Sequence, residues 1–131
     1  MKLNPDCVRS ILLAVEDTCD TQHYFDSILD SNKILGEYTE EEIAYHARQC
    51  DLSGFLYKYS SDLNGRWSAS DLTPKGHEFL ANIRNNSNWD KVKAISAKIG
   101  SKSLSALETI ATSVITNLLS LNFKFVIYGA R

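Results

Sequence analysis

Tyr45, Arg48 and Gln49 are the side chains whose types and spacing best suit recognition chemistry. In a helix, steps of three and four residues place them on one face. In the major groove of DNA, arginine pairs with guanine and glutamine with adenine. The pattern therefore predicts a DNA-reading face. A solvated or protein-contacting helix face gives the same pattern, and the three glutamates at 40–42 favour that alternative because they would repel phosphate.

Lys58 and Arg66 form a second candidate DNA contact, on either side of the turn signal Asn64-Gly65. A two-stranded hairpin here, the predicted wing, would carry both cations. An arginine in such a wing can enter the minor groove, where the negative potential of DNA is focused. Alternation along the hairpin turns one aromatic face inward, so most of its rings are predicted to belong to the core rather than to stack on bases: Tyr57, Tyr59 and Trp67.

Residue types that serve catalysis or metal binding are present, but their spacing does not suit those functions. Cys7, Cys19 and Cys50 are widely and irregularly spaced, with no Cys-x-x-Cys pair and no histidine at zinc-ligand spacing. The chain also lacks the two-histidine motif of zinc proteases and a glycine-rich phosphate loop. His46 and His77 are predicted to be packing or helix-capping residues and not metal ligands. We therefore expect no enzyme activity, no metal and no cofactor, and the reduced thiols are typical of the cytoplasm.

The elements that would position these residues begin with two predicted helices. Asn4-Pro5 is typical of a helix start, with asparagine as the N-cap and proline in the first turn, and apolar spacing extends this helix over 5–17. A short second helix is predicted over 25–35, where apolar residues cluster ahead of Gly36.

The third helix has the clearest signal in the chain. Thr39-Glu40-Glu41-Glu42 has the form of a capping box, and Gly54 ends the segment. Aromatic and β-favouring residues follow and predict the wing, which turns at Asn64-Gly65 with positive φ at both positions. Thr73-Pro74 then begins a fourth helix. The predicted fold is mainly α with a small β-hairpin, in the order of a winged helix-turn-helix.

A polar stretch at 85–88 marks the best internal boundary, so we predict a winged-helix domain over 1–86 and a C-terminal helical extension over 87–131. Helices are predicted at about 88–99 and 103–121. Four polar or charged residues interrupt the apolar tail, which argues against a transmembrane helix and predicts no membrane partner. They are Glu108, Asn117, Asn122 and Lys124.

The last predicted helix carries an apolar stripe with alternating steps of three and four residues, as in a short coiled coil. We expect this stripe, called the seam below, to form a homodimer interface. The alternative is that the seam packs back onto the first helix of the same chain. The seam consists of Leu104, Leu107, Ala111, Val114, Leu118 and Leu121.

Charge is distributed unevenly along the 131 residues, whose formal net charge is −2. Residues 1–71 carry 6 basic and 13 acidic side chains, whereas residues 72–102 carry 6 basic and 2 acidic ones. Because the phosphate backbone favours clustered lysine and arginine, an acidic first half argues against bulk nucleic-acid binding. The same acidity suits a basic partner.

Three segments carry a resemblance to known proteins. Residues 42–56, EIAYHARQCDLSGFL, resemble the recognition-helix segment of ArsR- and PadR-type winged-helix regulators. Residues 71–80, DLTPKGHEFL, resemble the "Leu-Thr-x-x-Gly" segment that leaves the wing of such proteins. With the opening MKLNPDCVR, they look like an uncharacterised bacterial and prophage-borne family catalogued as a domain of unknown function. The resemblance implies a winged-helix fold and a cytoplasmic bacterial or phage protein.

These observations lead to two hypotheses. The first is a phage- or prophage-type winged-helix protein that binds double-stranded DNA as a dimer and acts as a transcriptional regulator. Its reading residues are Tyr45, Arg48 and Gln49, with Lys58 and Arg66 anchoring the wing. The second is a protein-binding module without DNA binding, such as a phage-encoded modulator of a host or defence complex.

Overall fold

The computed structural model describes residues 1–34 and 36–129, and side chains as far as Phe123. The chain is mainly helical with small antiparallel sheets, which confirms the predicted fold class, mainly α with a small β element. It divides into two compact units, Met1–Leu80 and a second that begins at Ala81. This division lies within a helix and not in the polar stretch at 85–88. Phe79 explains the position, because its ring stacks on Phe55 of the first unit with centroids 5.0 Å apart.

The helices and strands occur in a simple order. The first unit starts with a long helix, a short strand and a single 3-10 turn, continues with a second long helix and a four-strand ribbon, and ends within a third helix. Two further helices complete the chain. The elements are α1 Pro5–Thr18, β1 Phe25–Asp26, a 3-10 turn Ser31–Lys33, α2 Glu40–Leu52, β2 Leu56–Tyr57, β3 Ser60–Ser61, β4 Trp67–Ala69, β5 Asp71–Leu72, α3 Pro74–Ile83, α4 Asn86–Ile99 and α5 Leu104–Gly129.

Helix α1 forms as its sequence predicts. The Asn4 side chain accepts a hydrogen bond from the amide of Asp6, and Pro5 occupies the first turn. The amide of Cys19 donates to the Val15 carbonyl at the other end. The apolar stripe of α1 is buried and forms much of the core of the first unit: Cys7, Val8, Ile11, Leu12, Ala14 and Val15.

The second helix predicted over 25–35 is wrong. Phe25 pairs with Ala69 as strand β1, and a turn follows in which the Asp26 carboxylate accepts hydrogen bonds from the amides of Ile28 and Leu29. An aspartate that satisfies the next amides offers the backbone an alternative to the helix. Helical structure here is limited to the 3-10 turn, and Leu35, which the prediction included, lies outside the described residues.

Helix α2 starts with the predicted capping box. The Thr39 hydroxyl accepts from the Glu42 amide, and the Glu42 carboxylate accepts from the Thr39 amide. Ile43, Ala47 and Cys50 are buried, as their spacing predicts. The helix therefore turns its opposite face outward.

His46 joins α2 to the start of α1. It is 1% exposed, its Nδ1 lies 2.7 Å from the Glu42 carbonyl, and its Nε2 lies 2.7 Å from the amide of Asn4. A carbonyl only accepts and an amide only donates, so Nδ1 carries the proton and Nε2 accepts. Both ring nitrogens are thus satisfied, and His46 is a packing residue.

Replacing His46 with phenylalanine is expected to lower the free energy of unfolding by about 2 kcal/mol, because the Asn4 amide would lose its acceptor in a partly buried position. Urea denaturation at neutral pH measures this loss. The control is His23→Phe at an exposed imidazole, with an expected change below about 0.5 kcal/mol. Equal losses in the two variants would contradict the bridging role of His46.

The strands form two small antiparallel sheets. One has the order β1-β4-β3, and the other pairs β2 with β5. The chain from β2 to β5 is therefore a hairpin with an interruption, which lies at Lys58, the only described residue other than glycine with a positive φ (51°). The amide of Ser70 still donates to the Tyr57 carbonyl across the interruption. We call this segment, residues 56–72, the ribbon.

The tip of the ribbon is not the predicted two-residue turn. It is a longer loop in which the Asp62 amide donates to the Arg66 carbonyl. The Asp62 carboxylate accepts from the amides of Asn64 and Arg66. Gly65 takes a positive φ of 83°, whereas Asn64 does not. The aspartate side chain therefore stabilises the loop in place of a second residue with positive φ.

Helix α3 is fixed to the base of the ribbon. The Thr73 hydroxyl accepts from the Gly76 amide and donates to the carbonyl of Gly54, while the Thr73 amide donates to the Phe55 carbonyl at 2.9 Å. These bonds hold the first turn of α3 against Gly54 and Phe55. A glycine at position 76 allows this close approach, because it has no Cβ to meet the Phe55 carbonyl.

In the second unit, α4 and α5 pack against each other. Asn85 caps α4, and Gly100 ends it in the left-handed conformation. The connection between α4 and α5 is only four residues long, which is typical of neighbouring antiparallel helices. Helix α5 has 26 residues against 14 in α4, so it is longer by roughly 18 Å at about 1.5 Å per residue.

Among the described residues, α5 is the one helix that is long and apolar enough, over Leu104–Phe123, to cross a membrane by length and composition alone. Core helices of soluble proteins meet the same criterion. Its first half behaves as a core helix, since Leu107 and Ala111 are fully buried.

Candidate nucleic-acid interface

The outer face of α2 carries the three predicted base-reading residues. Arg48 is exposed, while Tyr45 and Gln49 are half-buried. They lie opposite the buried side of the helix, so the structure brings them together as the spacing predicts. The Tyr45 ring contacts His46 edge to face with centroids 4.9 Å apart, and this contact restrains it.

Lys58 is exposed at the interruption of the ribbon. Its Nζ lies 5.3 Å from the centre of the Tyr57 ring, and Tyr57 is half exposed. Trp67, in contrast, is buried and stacks on Phe25 at 4.9 Å. Trp67 is therefore a core ring as predicted, whereas Tyr57 presents its ring and the neighbouring cation to solvent.

Arg66 is held in an ion pair that its sequence position does not reveal. Its Nη2 donates to the Asp26 carboxylate at 2.7 Å, and the Asp26 side chain is 4% exposed while that of Arg66 is 50% exposed. The hydrogen bond from Arg66 lowers the pKa of Asp26 below its usual value, with further support from the amides of Ile28 and Leu29. The guanidinium of Arg66 thus neutralises a buried carboxylate. The contact between Arg66 and DNA stays a prediction.

A cleft of about 390 Å³ joins the loop of the ribbon to the start of α2. Arg66 and Asp62 line it from the loop, and Glu40 and Ile43 line it from the helix. The structure thus brings Arg66 to the acidic end of α2. Tyr45, Arg48, Gln49 and Lys58 do not line this cleft.

The electrostatics of the cleft are unfavourable for phosphate. Glu40 and Asp62 contribute two negative charges, and the charge of Arg66 is already matched by Asp26. Two carboxylates without a free cation repel an anion and attract a cation. A DNA contact therefore suits the outer face of α2 and Lys58 better than it suits the cleft.

The described residues contain no group of three or more histidine, cysteine or acidic side chains that could hold a metal ion. The cysteines are free thiols. Burial raises the pKa of Cys7 to about 12 and also raises that of Cys50. Because the thiolate is the reactive form, these two thiols are unreactive in the folded chain.

The seam predicted for dimerisation divides into two parts. Leu104, Leu107, Ala111 and Val114 are buried within the chain and are not available as a surface. Leu118 is half-buried and Leu121 is 63% exposed. The first part of the seam faces inward because α5 packs on α4 of the same chain.

Sequence reasoning missed the two aspartates that organise this region, Asp26 and Asp62. Asp62 had a local signal, since an aspartate ahead of Asn64-Gly65 is typical of a turn that its side chain closes. Asp26 had a weaker one, because its partner Arg66 lies 40 residues away.

Comparison with known proteins places the chain in a family. A family model described as "Hypothetical protein (DUF2513)" matches residues 2–103. A Haemophilus influenzae (strain Rd) protein described as uncharacterized is 32% identical over 123 residues, covering 92% of this chain and the whole of that protein. That match must extend well into α5, whereas the family model ends just before it. No solved structure matches the chain. The chain therefore belongs to the DUF2513 family.

Proposed function

We propose that this protein is a winged-helix DNA-binding protein that acts as a transcriptional regulator. The order helix, strand, turn, helix and ribbon supports the fold, with α2 as the recognition helix and the ribbon as the wing. The sheet order β1-β4-β3 adds further support, because it ties the wing to the segment ahead of α2. The earlier helix of the motif is reduced here to the 3-10 turn.

The observation that carries the proposal is the outer face of α2. An exposed arginine with a glutamine beside it, on a helix that a core of Ile43, Ala47 and Cys50 fixes in place, suits major-groove reading. Lys58 would contact a phosphate from the wing. Arg66 would position the wing through Asp26 and would not contact DNA itself.

Arg48→Ala is expected to weaken binding to the preferred duplex about 5- to 100-fold, the range of one lost bidentate base contact. Fluorescence anisotropy on duplexes selected from a random pool would measure it. Binding of the unchanged protein should fall steeply between about 50 and 200 mM salt, since phosphate contacts release counterions.

The matched control for Arg48→Ala is Lys33→Ala, which removes an exposed cation beside Asp17, at the end of α1 opposite to the one that contacts α2. Lys58→Ala should reduce the salt slope by about one while leaving sequence preference unchanged. No binding of the unchanged protein at about 50 mM salt would overturn the proposed function.

A second candidate, the protein-binding module, is favoured by the acidic cleft. Glu40 and Asp62 beside the apolar Ile28 suit a basic, partly apolar peptide segment. Affinity capture from a nuclease-treated bacterial lysate would test this, with Glu40→Lys as the variant and Glu37→Lys as an acidic-residue control outside the cleft. A partner retained by both variants would not bind through the cleft.

A further inference from the structure

The loop of the ribbon carries the pair Asn64-Gly65, and both residues are exposed. It is the only asparagine–glycine pair in the sequence, since every other asparagine precedes a residue that has a side chain. The loop is built on the Asp62 carboxylate, which accepts from the amides of Asn64 and Arg66. The pair therefore does not form the two-residue turn that its sequence predicts.

The side chain of Asn64 differs from those of the capping asparagines. Asn4 and Asn85 each use the side-chain oxygen to accept a hydrogen bond from a backbone amide in the first turn of a helix. Among the described residues, none forms a hydrogen bond with the side-chain amide of Asn64, whose backbone amide donates to the Asp62 carboxylate at 2.8 Å. The side-chain amide of Asn64 is therefore exposed to water and not held in one orientation.

The backbone nitrogen of Gly65 is the nucleophile nearest in the chain to this side-chain amide. Glycine has no Cβ to crowd that nitrogen and allows many backbone conformations. A Cβ built at Gly65 would meet nothing within 4 Å, so the space around it is open. The Gly65 amide donates to the Asp62 carbonyl at 3.3 Å, which is long for such a bond. Local opening of an exposed loop is enough to release it.

We infer that Asn64 is a site of spontaneous deamidation, with the Gly65 nitrogen as the attacking group. This nitrogen loses its proton and bonds to Cγ of Asn64, which closes a succinimide ring. The bond from Cγ to Nδ2 breaks, and the side-chain nitrogen takes up the proton and leaves as ammonia. One water molecule then opens the ring. Cleavage of the new bond to Cγ gives aspartate, and cleavage of the original main-chain bond gives isoaspartate.

The product changes the charge of the loop. Asn64 lines the cleft together with Glu40 and Asp62, so its conversion adds a third carboxylate there. The cleft then repels anions and attracts cations more strongly. Isoaspartate also adds a methylene to the main chain between the two amides that Asp62 holds, those of Asn64 and Arg66. The inference is independent of DNA binding, because water is the only other reactant.

The test is incubation of the folded full chain at physiological temperature, at neutral and at mildly alkaline pH. Peptide mass spectrometry follows each asparagine, and protein isoaspartate methyltransferase labels isoaspartate. Asn64 should convert about tenfold or more faster than Asn32, which is also exposed but precedes a lysine whose side chain crowds the attacking nitrogen. The rate should rise with pH, because the deprotonated nitrogen is the nucleophile.

The variant is Asn64→Gln, whose longer side chain must close a larger ring and therefore reacts more slowly. It should lose the isoaspartate label, and circular dichroism checks that it stays folded. Conversion of Asn64 no faster than that of Asn32 would overturn the inference. So would an intact Asn64 in the folded chain under conditions in which the urea-unfolded chain converts it, since the Asp62 loop would then protect the site. An equal label in Asn64→Gln would place the reaction elsewhere.

Discussion

Replacing Asp26 with alanine is expected to lower the free energy of unfolding by about 3 kcal/mol, close to the effect of breaking a buried charged network. The carboxylate is buried and accepts from Arg66 at 2.7 Å and from the Ile28 amide at 2.8 Å. Alanine would leave that amide and the Leu29 amide without an acceptor, and the ribbon would lose its ion pair with β1. Urea denaturation measures the change.

The control is Asp17→Ala, which removes a carboxylate that is 79% exposed and 3.6 Å from Lys33. Exposed pairs of this kind contribute less than about 1 kcal/mol. Arg66→Met should also destabilise the chain, and more than Arg48→Met does. If Asp26→Ala and Asp17→Ala lower the free energy of unfolding equally, the Asp26–Arg66 ion pair does not stabilise the ribbon.

Acid titration gives the same network a second readout. The folded state holds the pKa of Asp26 below its usual value, chiefly through the Arg66 hydrogen bond. The stabilisation is therefore fully present above the unfolded-state pKa of about 3.9 and is lost as pH falls through the lower folded value. In Asp26→Asn this contribution is absent, so stability should decline less between neutral pH and pH ~3 than in the unchanged protein.

Replacing Gly76 with alanine is expected to cost about 3 kcal/mol or more, because an added Cβ would lie 2.3 Å from the Phe55 carbonyl oxygen. The atoms that this Cβ would meet belong to the backbone of Phe55, so no flexible side chain can move aside. Phe55 is fully buried and its carbonyl already accepts from the Thr73 amide. The first turn of α3 would have to move away from the base of the ribbon. Thermal or urea unfolding of the variant tests this.

Gly65→Asn is the matched control for Gly76→Ala. An added Cβ at Gly65 meets nothing within 4 Å, and its positive φ of 83° is one that asparagine tolerates. A loss below about 1 kcal/mol is expected there. Comparable losses in the two variants would mean that α3 does not approach Phe55 as closely as described.

The Asp26–Arg66 ion pair also affects the choice of variants for testing the proposed function. If the protein binds DNA as proposed, a variant of Arg66 would change the affinity by moving the ribbon, even without a contact between the guanidinium and DNA. Arg48 and Lys58 are the cleaner probes, because Arg48 is exposed on α2 and Lys58 is exposed beside the neighbouring Tyr57 ring. A loss of binding in those variants, with stability unchanged, would identify a direct contact.

The sequence by itself determined α1 and α2, because their signals are local. Asn4 and Pro5 mark one helix start and Thr39 with Glu42 marks the other, and each cap satisfies orphan amides within three residues. The apolar spacing also determined which faces turn inward. Family membership had a local basis as well, in the short segments at the start of the chain and around Gly76.

Only the tertiary structure decided three features: the secondary structure of the segment predicted as a helix over 25–35, the ion pair of Arg66 and the division of the seam. Phe25 became a strand because it pairs with Ala69, 44 positions later, and Asp26 is buried because Arg66 meets it from across the sheet. The seam divides after Val114 because α4 is shorter than α5. Caps and apolar periods are set by residues a few positions apart, whereas a buried charge or a covered face depends on a partner that only folding brings near.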